Sequence, residues 1–233
     1  MKTRVPAILL MLATLSTLGL AQQKAAPQFK LVQFYLALIK KGPKWTADEN
    51  ANKQLHEQHF AYVLSLLDSG KAVAAGPITD KGDILGIFIF RAASLAEAKA
   101  WADGDPTVAA GLKTAEVHPW WSEDVMKKAA SPLKLETAYL GFLTRGAKWT
   151  AEKTPATEEL QKAHLANINR LAEMKKLVVA GPFGDNGALR GIFVFRVASI
   201  DEAKTLAATD PAVQAGRLAI DLHPWMVPVG ILP

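Results

Sequence analysis

Four of the five histidines fall into two pairs at one spacing: His59 with His164, and His118 with His223. The acids Asp105 and Asp210 and the bases Arg91 and Arg196 repeat at the same offset. That offset is about 105 residues, far longer than the roughly 20–50 of a solenoid unit. The chain therefore carries two copies of one small domain. His59 and His164 lie on apolar stripes with helical spacing. An imidazole there can act as general base or acid near neutral pH if a carboxylate orients it, and Asp105 and Asp210 are the candidate orienting groups. A competing reading makes each histidine a core residue bonded to backbone. Each aspartate, followed by proline, also suits a helix N-cap, a role compatible with orienting a histidine. His118 and His223 precede Pro-Trp, as pocket-rim groups or as strand-ending turns. Arg91 and Arg196 suit an anionic substrate or a neighbouring carboxylate.

Other chemistries have little support. His56 and His59 share a helix face at a spacing metals use, but the second copy has Gln161 in place of His56. There is no cysteine to serve as ligand or disulfide partner. No metal and no organic cofactor is implied. The glycines show no G-x-G-x-x-G or P-loop spacing, and no serine sits in a G-x-S-x-G elbow. The formal charge of +5 comes from lysines and arginines scattered singly, which gives no footprint for nucleic acid.

The elements that must position these side chains follow the same order twice. In the first copy, Lys30 to Ile39 reads as a strand. Thr46 with Glu49 forms a capping-box pattern, opening a helix from Ala47 to about Asp68 that ends at Ser69-Gly70. Lys71 to Ala75 is a strand ended by Gly76-Pro77. The turn Asp80-Lys-Gly-Asp83 makes a hairpin with Ile84 to Arg91, whose unbroken apolarity suits a strand covered on both faces. Ser94 and Glu97 cap a second helix, and Asp105-Pro106 opens a short third one. Leu112 to Val117 is the last strand, stopped by His118-Pro119. The second copy gives strand Leu135 to Leu143, helix Pro155 to Met174, hairpin Lys176 to Arg196, helix Ser199 to Ala207, short helix Pro211 to Ala215 and strand Arg217 to Leu222. The order is βαββαβ, ferredoxin-like, so the fold class is α+β. A four-stranded sheet with helices on one face leaves the other bare. Two copies in one chain remedy this by packing sheet to sheet as a pseudo-dimer, with clefts between sheet and helices.

The boundaries expected are 1–21 for a signal peptide, 22–29 for a leader, 30–120 for the first domain, 121–133 for a linker, 134–226 for the second domain and 227–233 for an apolar tail. Lys2 and Arg4 precede an apolar run from Ala7 to Leu18, and Gly19-Leu20-Ala21 supplies small residues for cleavage after Ala21. The run is short for a transmembrane span of about 20 residues. The mature protein is expected to be exported, periplasmic or secreted, with no stable membrane span.

In these features the chain resembles the YCII-related proteins, ferredoxin-like domains of the dimeric α/β-barrel type. The resemblance rests on the helix histidines His59 and His164, the Ala-Gly-Pro strand ends, the Ser-x-x-Glu-Ala helix starts, Asp105-Pro-Thr-Val-Ala-Ala-Gly111 with its counterpart Asp210-Pro-Ala-Val-Gln-Ala-Gly216, and the Pro-Trp dipeptides. It implies a His–Asp active site in a cleft, carried here by His59 with Asp105 and His164 with Asp210. It further implies a small-molecule ligand and lyase or isomerase chemistry on aromatic or lactone-like compounds. His118, His223, Arg91 and Arg196 are the candidate substrate-binding groups. Two features depart from the pattern: Thr107 and Ala212 replace the family's aromatic after Asp-Pro, and an export signal is unusual for intracellular aromatic breakdown. The alternatives are a non-catalytic ligand-binding module and a structural or partner-binding one.

Overall fold

The computed structural model describes residues 29–48 and 52–233. The expected signal segment, the leader up to residue 28, and Glu49 lie outside the described residues. The first half runs β1 (Leu31–Lys41), α1 (Lys53–Asp68), β2 (Ala72–Pro77), β3 (Ile84–Phe90), α2 (Leu95–Asp103), α3 (Pro106–Ala109) and β4 (Lys113–Glu123). The second repeats it as β5 (Leu135–Arg145), α4 (Pro155–Glu173), β6 (Leu177–Pro182), β7 (Leu189–Phe195), α5 (Ile200–Ala207), α6 (Pro211–Gln214) and β8 (Leu218–Pro228). Each half forms one antiparallel sheet, in the order β2-β3-β1-β4 and β6-β7-β5-β8. This is the ferredoxin-like α+β arrangement read from the sequence.

The apolar strands are two-faced. On β1, Phe34, Leu36 and Leu38 point into a core shared by the two sheets, with Ile87, Ile89 and Trp120 from the first half and Leu140, Phe142, Ile192 and Trp225 from the second. The alternate residues Tyr35, Ala37 and Ile39 point the other way, against Leu66, Ala98 and Ala102 of the helices. The same split in the second half sends Phe193 and Phe195 toward Leu171 and Ala203. With a period of two, an unbroken apolar strand thus serves both layers.

The sheets also meet at their edges and close a barrel. β4 runs beside β6, and β8 beside β2. The Trp120 indole N–H donates to the Gly181 carbonyl at 3.0 Å and that of Trp225 to Gly76 at 3.2 Å. The backbone N–H of Gly184 donates to Pro119 at 2.8 Å, and that of Thr79 to Pro224 at 3.1 Å. The tail folds back, placing Ile231 and Leu232 in the shared core.

Three local expectations are corrected. First, β4 and β8 do not stop at His118-Pro119 and His223-Pro224; both continue past the Trp, beyond the expected domain ends. A proline's amide position and its own carbonyl lie on the same side of a strand. The carbonyls of Pro119 and Pro224 point away from β1 and β5, toward the opposite half, so no ladder bond is lost. Second, β2 includes Gly76-Pro77 and ends at Pro77, two residues later than expected. Third, α1 begins at Lys53 rather than Ala47, and its N-cap Asn52 makes no side-chain capping bond. Thr46 instead accepts from the Asp48 N–H in a local turn, the competition that hydroxyl residues offer a helix start.

Candidate functional site

Asp105 and Asp210 each begin a one-turn helix, and the proline at the first helical position has no N–H to leave unpaired. One carboxylate oxygen caps the turn: Asp105 Oδ1 accepts from Thr107 N at 2.8 Å, and Asp210 Oδ1 accepts from Ala212 N at 2.8 Å. The other oxygen faces the long helix above. Nδ1 of His59 lies 2.6 Å from Asp105 Oδ2, and Nδ1 of His164 lies 2.7 Å from Asp210 Oδ2. The two roles considered for each aspartate are therefore filled at once, by different oxygens.

Both aspartates are fully buried. Burial pushes the Asp105 carboxyl up. Its bonds with His59 and Thr107, and the charge on His59, outweigh that and hold it below the usual carboxylate range. A carboxylate in this state accepts the Nδ1 proton and leaves Nε2 as the basic nitrogen. Among the described residues no protein group bonds Nε2 of either histidine.

The two dyads differ in surroundings. Next to His59–Asp105 stand Tyr62 and Lys113. Burial and then the Asp105 charge raise the Tyr62 phenol, while burial lowers the Lys113 amine against the pull of Asp105. In the second half these positions are Asn167 and Leu218. There His164 stacks at 6.0 Å on Phe193 and lines a cavity of about 490 Å³. The cavity lies between α4, the β6–β7 hairpin and the end of β4, with Trp149, Ile168, Phe193, Leu218 and Arg190 in its walls.

His118 and His223 take a role unforeseen in the sequence. His118 Nδ1 lies 2.5 Å from Asp185 Oδ2 in the opposite hairpin turn, and His223 Nδ1 lies 2.7 Å from Asp80 Oδ2 in the equivalent turn of the first half. Nε2 of each also lies near its own strand's acid, Glu116 at 3.0 Å and Asp221 at 3.2 Å. Those last contacts are charge proximity without hydrogen-bond alignment. The histidines thus tie the halves together. The repeated turn acids Asp80 and Asp185 were the available signal.

Arg91 and Arg196 are engaged by protein groups. Arg91 makes a bidentate pair with Asp124 at 2.9 and 2.7 Å. Arg196 donates to the Leu232 and Pro233 carbonyls of the tail and lies 3.7 Å from Glu136. Arg91 borders a separate cavity of about 580 Å³ beneath α1 and residues 126–131; neither arginine lines the His164 cavity. His56 gains no partners for a metal: among the described residues no cluster of three or more His, Asp or Glu side chains converges.

Comparison with known proteins agrees with this architecture. An uncharacterized protein, YjpA of Bacillus subtilis (strain 168), is 32% identical over 76 residues, 31% of this chain and 87% of that protein. A chlorite dismutase variant from Candidatus Nitrospira defluvii superposes with a TM-score of 0.54 at 13% identity, over 85% of this chain and 92% of its own. A protein from Thermus thermophilus described as heme-binding gives 0.53 at 14% identity, over 86% and 93%. These two structures share the fold. The YCII-related domain model matches residues 33–121 and again 144–225, so the chain belongs to the YCII-related family, with two copies in tandem.

Proposed function

We propose that the protein is an exported, small-molecule enzyme of lyase or isomerase type that works at the His164–Asp210 cleft. One observation carries this: the histidine held by a fully buried carboxylate is also a wall of a 490 Å³ cavity, a volume in the range of small-molecule sites. His164 Nε2 removes a proton from a carbon beside a carbonyl. The C–H electron pair moves into a new double bond. In an isomerase the imidazolium returns the proton to another carbon; in a lyase a leaving group departs with its electron pair. Asp210 keeps the ring in one orientation and balances its charge. His59–Asp105 repeats the geometry with Lys113 where the second half has Leu218.

The test is proton exchange. A panel of small aromatic ketones and lactones is incubated in D2O and followed by NMR. Deuterium uptake should fall at least about 100-fold in His164→Gln, with the melting temperature kept close to that of the parent. Equal exchange in both proteins would rule the reading out.

A second reading draws on the same imidazole. An Nδ1 anchored on a carboxylate presents Nε2 as a metal ligand, and one fold neighbour is described as heme-binding. His164 would hold the iron through Nε2, with Phe193 and Ile168 as the apolar wall beside it, and the group would supply redox chemistry. Hemin titration decides it. A Soret shift abolished by His164→Gln favours heme; an unchanged spectrum excludes it.

A further inference from the structure

One wall of the His164 cavity carries an unusual grouping. Three guanidiniums surround one indole: Arg217 at 4.5 Å, Arg190 at 4.7 Å and Arg145 at 5.6 Å from the Trp149 ring centroid. Trp149 and Arg190 line the cavity. Arg217 is held by the Thr150 hydroxyl at 3.1 Å and Arg145 by the Asn186 carbonyl at 2.7 Å. None of the three forms a salt bridge among the described residues, and the Arg190 guanidinium makes no hydrogen bond there. Burial lowers the Arg190 guanidinium, as do the charges of Arg145 and Arg217, against a pull from Asp185. Gathering like charges costs free energy unless a counter-charge arrives, and the cluster belongs to this half alone. The equivalent first-half positions are Lys41, Leu85 and Leu112, around Trp45.

We propose that the His164 cavity takes a small aromatic or apolar molecule bearing one anionic group, a carboxylate or its equivalent, with that group seated on Arg190 above Trp149. This rests on the reading of the cavity as the ligand site and adds the ligand's charge and orientation. Guanidinium suits a planar anion because its N–H groups form a fork, and the Trp149 face holds the fork in place. Arg145 and Arg217 raise the local potential without entering the cavity lining. Glu123 also lines the cavity. It sits at the end of β4, away from the β7 start that carries Arg190, so the cavity is polarised along its length. The apolar body of the ligand lies over Phe193 and Ile168, which brings it to His164.

Two probes that differ by one charge test this on the full chain: anilinonaphthalene sulfonate and its uncharged parent, N-phenylnaphthylamine. Binding is read by fluorescence and located by the shift of the Trp149 indole signal in NMR. The variant is Arg190→Leu, a substitution the fold already accepts at Leu85 in the first copy. The expected result is tighter binding of the sulfonate than of the neutral probe. Arg190→Leu should weaken the sulfonate about tenfold or more and leave the neutral probe within about twofold. Neutral-probe binding at Trp149 with no preference for the sulfonate, or with a sulfonate affinity untouched by Arg190→Leu, overturns the anionic assignment and leaves the cavity reading standing. If neither probe moves the Trp149 signal, both fall.

Discussion

Thr107 shows what a single side chain contributes to a dyad. Its hydroxyl donates to Asp105 Oδ1 at 2.7 Å, beside its own backbone N–H. Ala212 stands in its place in the second half, where Asp210 Oδ1 keeps only the backbone bond. Removing the hydroxyl with Thr107→Ala takes away one of the bonds that hold the Asp105 carboxyl low, so its pKa should rise. Hydrogen bonds to a charged group are worth about 1.5–3 kcal/mol. The second copy folds without this one, so a loss near the lower end is expected from urea denaturation at neutral pH. The pH dependence has a definite sign. A carboxyl whose folded pKa is depressed contributes stability fully above the ordinary carboxylate value of about 4, and loses it as pH falls through the folded value. Both proteins should therefore start to lose this stability near the ordinary carboxylate value, but Thr107→Ala should lose less of it and level off at a higher pH, so that its deficit against the parent narrows in acid; a deficit that stays constant down to low pH would refute the role. The His–Asp pairs themselves were legible, because both copies keep both residues. Arg190 was not. Comparing copies picks out what they share, while the charge that lines the cavity lies where they differ.

The elements read from the sequence, in their βαββαβ order, match the observed ones apart from helix and strand ends. The largest difference lies at His118-Pro119 and His223-Pro224, where a strand stop is expected and β4 and β8 run on. Composition marks a proline as a breaker, but whether its missing N–H matters depends on which side of the strand faces a partner. That is a property of register and of the other half. The Ala-Gly-Pro glycines at the ends of β2 and β6 have a steric reason. A Cβ on Gly181 would stand 1.8 Å from the Trp121 carbonyl oxygen, and one on Gly76 would stand 1.8 Å from that of Met226. In both cases the obstacle is backbone across the seam, which cannot swing aside. Gly181→Ala should cost about 3 kcal/mol or more, with the shift seen in the urea midpoint. Gly70→Ala meets no atom within 4 Å but has φ of +73°. It should cost only about 1 kcal/mol through backbone strain. Equal effects at the two glycines would argue against a close-packed seam.

At the scale of the whole molecule, two halves that are separate in sequence share one interior. The largest buried side chains include Trp120 and Trp225. Each donates its indole N–H to a carbonyl of the other half. The histidine–aspartate contacts cross the same seam in both directions, His118 to Asp185 and His223 to Asp80. Neither sheet's inner face can be covered without the other, and each half's own core lies only on its helix side. Unfolding should therefore be a single transition despite the two-copy sequence. Tryptophan fluorescence, to which the buried seam indoles contribute, should trace the same urea curve as the far-ultraviolet helix signal. A substitution in the first copy provides the stricter test. Leu36→Ala removes a fully buried side chain from the shared core and should cost about 2–5 kcal/mol, moving both signals together. If the helix signal split into two steps, with one step at the parent midpoint, the second half would be holding its structure alone and the interior could not be common to both.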